Sequence, residues 1–222
     1  METKAIQFAI FDCDGVLVNS NPFKAEAFKF AVRSYPKEDV EKLVEFNRVN
    51  GGISRYEKFD HFFRVVLGMH RERCAVEVDK AVVEFSNFCA KGYQHLEPTK
   101  GTRKLLECFQ LRQIPCYIVS GGDKQEITGW SIKADIFHFF LQIYGNEQSK
   151  FDAVHDIFSK NDYESVRGVY YGDATLDAKI ANQFGIPFVF VSGYSEIDSG
   201  ELVFNDISRQ VCYLSEVISG FS

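Results

Sequence analysis

Residues 5–20 read Ala5-Ile6-Gln7-Phe8-Ala9-Ile10-Phe11-Asp12-Cys13-Asp14-Gly15-Val16-Leu17-Val18-Asn19-Ser20, an apolar run that stops abruptly at two acids. The run over 5–11 scarcely alternates, as a strand covered on both faces requires. Asp12 closes that strand beside a second acid, a position with no structural excuse. In extended backbone residues i and i+2 face the same side, so Asp12 and Asp14 reach one site while Cys13 points away.

Four more apolar runs follow, at 115–119, 139–144, 166–171 and 187–191. Helical periodicity lies between them, in Ile127, Ile132 and Ile136, then Val154, Ile157 and Phe158, then Leu176 and Ile180. Strand–helix alternation of this kind means βαβ crossovers and an α/β fold: an open parallel, Rossmann-like sheet with helices on both faces. The first connection breaks the rhythm. From Asn19 to about Glu97 only three-to-four-residue periodicity occurs, as in Tyr56, Phe59, Phe62, Phe63 and Val66, and in Cys74, Val78, Ala81, Val82, Phe85, Phe88 and Cys89. We therefore expect an inserted all-α cap domain over 19–97, with 1–18 and 98–222 forming the catalytic core. A helix over 99–113 leads into the second strand, and Ile207, Val211, Leu214 and Val217 predict a closing helix.

Open parallel sheets bind ligands beyond the carboxyl ends of their strands. There the sequence places Asp12 and Asp14, then Ser120-Gly121-Gly122, then Lys150, then Asp173 and Asp177. Asp173 and Asp177 stand one helical turn apart on one face. Up to four carboxylates then converge, and they cannot all stay ionised without a cation. The donors are all oxygens, which favours Mg²⁺ over zinc, and Mg²⁺ implies a phosphate as co-ligand. Ser120 with two glycines and a helix start offers backbone N–H groups as an anion cradle. Lys150 in a first helical turn opposes the helix dipole, and a phosphate supplies the reason. Each has a plainer alternative: Asp173 or Ser120 as helix caps, Asp177 as a first-turn acid, Lys150 as a solvated amine. In Asn50-Gly51-Gly52-Ile53-Ser54-Arg55, Arg55 is either a solvated first-turn residue or a substrate contact dipping into the site.

With 222 residues, 45% hydrophobic, the chain can bury a real core, and 22 Phe make that core aromatic. A formal charge of −6 argues against a nucleic-acid partner, without excluding an anionic substrate beside a metal. Six scattered cysteines show no CxxC pair, and no leader or membrane-spanning run is recognisable, so a cytoplasmic protein with reduced thiols is expected.

The segments 12–20, 120–122, Lys150, and Gly172-Asp173 with Asp177 together resemble the haloacid dehalogenase superfamily, in its branch of small phosphatases with a helical cap after the first strand. The order matches along nearly the whole chain. In the segment leading to Lys150, Gly145-Asn146-Glu147-Gln148-Ser149, the family more often places a proline. The resemblance implies that Asp12 attacks phosphorus to form an aspartyl-phosphate. Asp14 then serves as acid and later as base. Mg²⁺ is held by Asp12, the Asp14 carbonyl and Asp173, and Asp177 supports the metal or orients Lys150. Ser120 and Lys150 hold the equatorial phosphoryl oxygens, beside the Gly121-Gly122 backbone; Arg55 keeps the two readings given above. The implied substrate is a small phosphorylated metabolite, a sugar phosphate or a phosphoglycolate-like monoester.

A phosphosugar mutase keeps the same acids and excludes water. A dehalogenase has no leaving oxygen to protonate and so no need of Asp14. Asn19 stands where a Cys13-based phosphatase requires Arg, and GxSxG and GxxxxGK[ST] are absent. A phosphoacceptor signalling domain or a phosphate-binding protein without catalysis is the reading from a different class. Oligomeric state is not legible in the sequence.

Overall fold

In the computed structural model, which describes residues 6–198, 200 and 207–218, the first apolar run becomes β1 (Phe8–Phe11), buried at every position. It pairs in parallel with β2 (Cys116–Val119) on one side and β4 (Gly168–Gly172) on the other. Further parallel pairings with β3 (Phe140–Tyr144), β5 (Phe188–Val191) and β6 (Ile207–Val211) complete a sheet of order β3-β2-β1-β4-β5-β6. Side chains alternate across this sheet. Ala9 and Phe11 join one apolar cluster with Leu105, Phe109, Ile127 and Trp130, while Phe8 and Ile10 join a second with Val154, Ile157, Ala178 and Ala181. Hence α5 (Thr102–Leu111) and α6 (Lys124–Lys133) cover one face, and α7 (Lys150–Lys160) and α8 (Thr175–Phe184) the other. Ala5, expected in the first strand, lies outside the described residues.

After β1 the chain folds back on itself, with Leu17 and Val18 N–H groups donating to the Cys13 carbonyl at 2.8 and 3.1 Å. Val18 is bridged to Pro98, so the segment between them departs from the sheet and returns to it at neighbouring points. That segment holds α1 (Asn21–Ala31), α2 (Lys37–Val49), α3 (Arg55–His61) and α4 (Arg71–Gly92), with one π-helical turn at Phe62–Val66. Phe28, Phe59 and Phe85 tie three of these helices together, with ring centroids 4.6–6.1 Å apart. Each buried ring contributes roughly 1.5–3 kcal/mol of apolar transfer.

The expected closing helix is corrected. Ile207–Val211 is the sixth strand, and among the described residues after it only Ser215–Ile218 (α9) is helical. The spacing of Ile207 and Val211 fits a helix turn and a strand equally, and pairing with β5 decides for the strand.

Candidate active site

The strand order reverses direction at β1, the place where an open α/β sheet leaves a crevice at its carboxyl edge. Asp12 follows β1, Ser120 follows β2, Lys150 opens α7 after β3, and Asp173 follows β4. All four are buried, between 3% and 6% exposed. Lys150 Nζ stands 2.9 Å from Asp12 Oδ1 and donates to Asp177 Oδ1 at 2.7 Å. The Cys13 N–H also donates to Asp12 Oδ1, at 2.7 Å, so Oδ2 is the Asp12 oxygen with no hydrogen bond among the described residues. Asp12, Asp173 and Asp177 offer carboxylate oxygens within 4.8 Å of one another. Burial, together with Asp177 and Asp14, raises the Asp12 carboxyl to about 7, although Lys150 pulls the other way. Burial and the neighbouring acids push Asp173 well above the usual carboxylate range. The cluster is short of positive charge.

Asp14 sits differently. Its Oδ1 accepts from Ser20 Oγ at 2.5 Å and from Tyr93 OH at 3.0 Å, and Lys24 Nζ meets Oδ2 at 2.5 Å. Burial alone would raise this carboxyl, but Lys24, Ser20 and Tyr93 hold it below the usual range. Gly15, with φ +79°, lets the chain turn directly after it, and a Cβ there would lie 1.9 Å from Asp173 Oδ2.

Ser120 Oγ accepts from the Gly122 N–H at 3.0 Å. A Cβ on Gly121 would stand 2.2 Å from the Gly52 carbonyl, so the Gly51-Gly52 turn of the helical segment rests on this loop. One cavity of about 60 Å³ is lined from the sheet by Asp12, Asp14, Ser120, Gly121, Gly122 and Asp173. From the helical segment it is lined by Lys24, Asn47, Arg55 and Lys58, among others.

The structure thus gathers Asp12, Ser120, Gly121, Gly122, Lys150, Asp173 and Asp177 at one edge. Three carboxylates converge rather than four, because the Asp14 side chain turns to Lys24 while still lining the cavity. Asp177 is the third, but Lys150, Tyr170 OH (3.1 Å) and the Ala174 N–H (3.2 Å) all donate to it. The plainer readings are corrected for four groups, and for two of them burial decides: Lys150 is no solvated amine, and Arg55 is no solvated first-turn residue. Arg55 is 5% exposed, its guanidinium spread over both Glu126 oxygens (2.9 and 2.7 Å) and Ser86 Oγ (2.9 Å). Ser120 caps no helix, since Asp123 is the N-cap of α6, and Ala174 rather than Asp173 caps α8.

Sequence reasoning missed Lys24, Tyr93, Asn21, Lys58, Asn47 and Glu196. Asn21 donates to Asp173 Oδ2 at 3.1 Å, one turn before Lys24 on α1. That shared helical face, directly after the acid pair, was a signal that could have found both.

The profile of the haloacid dehalogenase-like hydrolases matches residues 9–191. Among solved structures, the chain is similar to a haloacid dehalogenase-like family hydrolase of Streptococcus pneumoniae, at 20% identity and TM-score 0.73 over 98% of this chain and 99% of that one. It is similar to a β-phosphoglucomutase of Clostridium difficile, at 17% identity and TM-score 0.72 over 97% and 96%. A Bacillus subtilis HAD-hydrolase described as bound to magnesium aligns at 15% identity and TM-score 0.69 over 98% and 99%. Among curated proteins no sequence matches. With 9–191 matched and the acids, Ser120 and Lys150 at successive strand ends, the chain belongs to the haloacid dehalogenase-like hydrolase family.

Proposed function

We propose that this protein is a Mg²⁺-dependent phosphomonoester hydrolase that carries the phosphoryl group on Asp12 and acts on a small phosphorylated metabolite. The observation that carries this reading is the Asp12 carboxylate, which lines the cavity with Oδ1 fixed by Lys150 and a backbone N–H while Oδ2 has no hydrogen bond among the described residues. A carboxylate so held is an oriented nucleophile toward phosphorus. An all-oxygen donor set with raised carboxyls fits a hard divalent cation, and Asp12, Asp173 and the backbone of Asp14 would hold it. When bound, Mg²⁺ supplies neutralisation of the phosphoryl charge.

In this reading Lys150 and Ser120, with the Gly121 and Gly122 backbone, orient the phosphoryl oxygens, which is most of what phosphoryl transfer asks of a protein; the lining of the cavity by Ser120, Gly121 and Gly122 and the 2.9 Å approach of Lys150 to Asp12 support it. Asp177 holds Lys150 in position. Asp14 acts on the proton of the leaving oxygen, then as base toward water. Lys24 keeps Asp14 ionised, the form that serves as base, so donation of a proton requires that contact to be given up. Residues 19–97 act as the cap over the site, supported by the helical residues that line the cavity. A cytoplasmic location is supported by six free cysteines; among the described residues no helix is long and apolar enough to cross a membrane. The net charge of −6 disfavours a nucleic-acid partner.

Hydrolysis of p-nitrophenyl phosphate with Mg²⁺ tests the reading. Asp12→Asn is expected to lower kcat by roughly 10³-fold or more. A near-wild-type rate removes Asp12 as nucleophile, and a wild type without turnover on any monoester favours a binding or signalling protein.

A further inference from the structure

The cations of the cavity differ in one respect. Lys24 is paired with Asp14, Arg55 with Glu126, and Arg48 Nε with Glu45 at 3.0 Å. Lys150, at the start of α7, is held by two acids. Lys58, on α3, has no such partner. Its residue is 7% exposed, it lines the cavity, and its ammonium makes one hydrogen bond, 2.8 Å to Asn47 Oδ1, with no ion pair among the described residues. Glu196 is the carboxylate behind Asn47, whose Nδ2 stands 3.4 Å from Glu196 Oε2, so the amide separates acid from ammonium. An ammonium carries three donors, and a buried charge without a counter-ion is costly. Elsewhere in this cavity the protein supplies a directly paired counter-ion. Here Glu196 attracts the ammonium only across Asn47, with no direct hydrogen bond or ion pair to it among the described residues.

Resting on the hydrolase reading above, we infer that Lys58 is a specificity residue whose ammonium binds a carboxylate on the leaving group, so that the preferred substrates are phosphate esters of small hydroxy acids. One compact ammonium matches one singly charged carboxylate. A second phosphate, doubly charged, carries more charge than this one ammonium offsets, and Arg55 has spent its fork on Glu126. The small cavity sets the same limit on size. Asn47 holds the Lys58 side chain against the Phe28 ring, with Nζ 5.4 Å from the ring centroid, which keeps the ammonium aimed while leaving donors unmet.

The test is calorimetric binding of three stable phosphonates in the presence of Mg²⁺: 3-phosphonopropionate, propylphosphonate and ethane-1,2-diphosphonate. Wild type is expected to bind 3-phosphonopropionate about tenfold more tightly than either of the others. In Lys58→Met that advantage is expected to fall below about threefold, with propylphosphonate affinity setting the baseline. Lys58→Gln carries the same comparison should the Met variant not fold. Equal affinities in wild type, a preference for the diphosphonate, or an advantage that survives both substitutions overturns the inference. Binding is read without turnover. A carboxylate preference in a protein that hydrolyses no monoester therefore sinks the hydrolase reading alone, and hydrolysis without the preference sinks the Lys58 inference alone.

Discussion

Lys150 and Lys58 are both buried amines, and their surroundings make them opposites. Lys150 has Asp12 and Asp177 within 2.9 Å, and they raise its pKa despite burial, which acts the other way. Removing it leaves two carboxylates facing each other out of water. Lys150→Met is therefore expected to cost roughly 3–5 kcal/mol in urea unfolding and to lower p-nitrophenyl phosphate turnover by about 10²-fold or more. A loss of stability within about 0.5 kcal/mol, the size of an ordinary surface change, contradicts this account. Lys58 is depressed to about 8, by burial first and then by Lys24. Its folded pKa lies below the unfolded value, so the unfolded chain holds its proton more tightly. Its contribution to stability is then most adverse below about pH 8 and is relieved as pH rises toward about 10.4. Lys58→Met is expected to gain up to about 3 kcal/mol over wild type near pH 7, the gain shrinking steadily above pH 8. A wild-type-minus-variant difference that is flat from pH 7 to 10 refutes the depressed pKa. Asp12, Ser120 and Asp173 were legible in the sequence because each stands at the end of an apolar run, and Lys150 because it opens the helix a few residues past one. Tyr93 was not: it stands 79 residues past Asp14 at the end of a helical stretch, and only the fold brings the two together, whereas Lys24 carried a signal in the helical face it shares with Asn21.

Four central strands could be read from apolar runs, since a central parallel strand must be buried on both faces, and the edge strand β3 was legible from its apolar composition although Leu141 is exposed. The sixth could not. β6 is an edge strand whose Ser208, Arg209 and Gln210 are exposed, so its pattern carries no strand signal until β5 pairs with it. The same limit hid how helices and sheet are joined. Arg55 on α3 and Glu126 on α6 lie 71 residues apart, and no local pattern links them. Their bidentate pair, with side chains 4% and 15% exposed, clasps the helical segment to the sheet. Breaking one side strands the other charge, so Arg55→Met is expected to cost roughly 3–5 kcal/mol, and the double variant Arg55→Met/Glu126→Met to recover most of it. Additive losses in the double-mutant cycle show that the two side chains do not act as a pair. Arg55 also lines the cavity, so kcat and KM of the single variant should worsen along with its unfolding midpoint.

Across the whole molecule, one apolar cluster runs from the sheet face under α5 and α6 into the phenylalanines of α1, α3 and α4, so the sheet and the helical segment share a core. The polar counterpart of that core is the carboxylate edge, and there the folded chain is under strain by itself: Asp12, Asp173 and Asp177 converge with Lys150 as the ammonium among them. A cation bound there couples to global stability, because the unfolded chain does not hold these oxygens together. Binding to the folded state alone stabilises by about 2.7 kcal/mol at a hundredfold excess over Kd, which for a chain of this length is a rise of roughly 5–10 °C in Tm. Calorimetry should show that rise on moving wild type from EDTA to saturating Mg²⁺. Asp173→Asn should lose most of it, and in EDTA should melt at or above wild type, since it removes one of the converging acids without creating a cavity. The order of the two proteins therefore reverses between the buffers. Melting curves that ignore Mg²⁺, or an Asp173→Asn protein that is the less stable of the two in EDTA, would mean that the three acids are held by hydrogen bonds alone and that no divalent cation belongs among them.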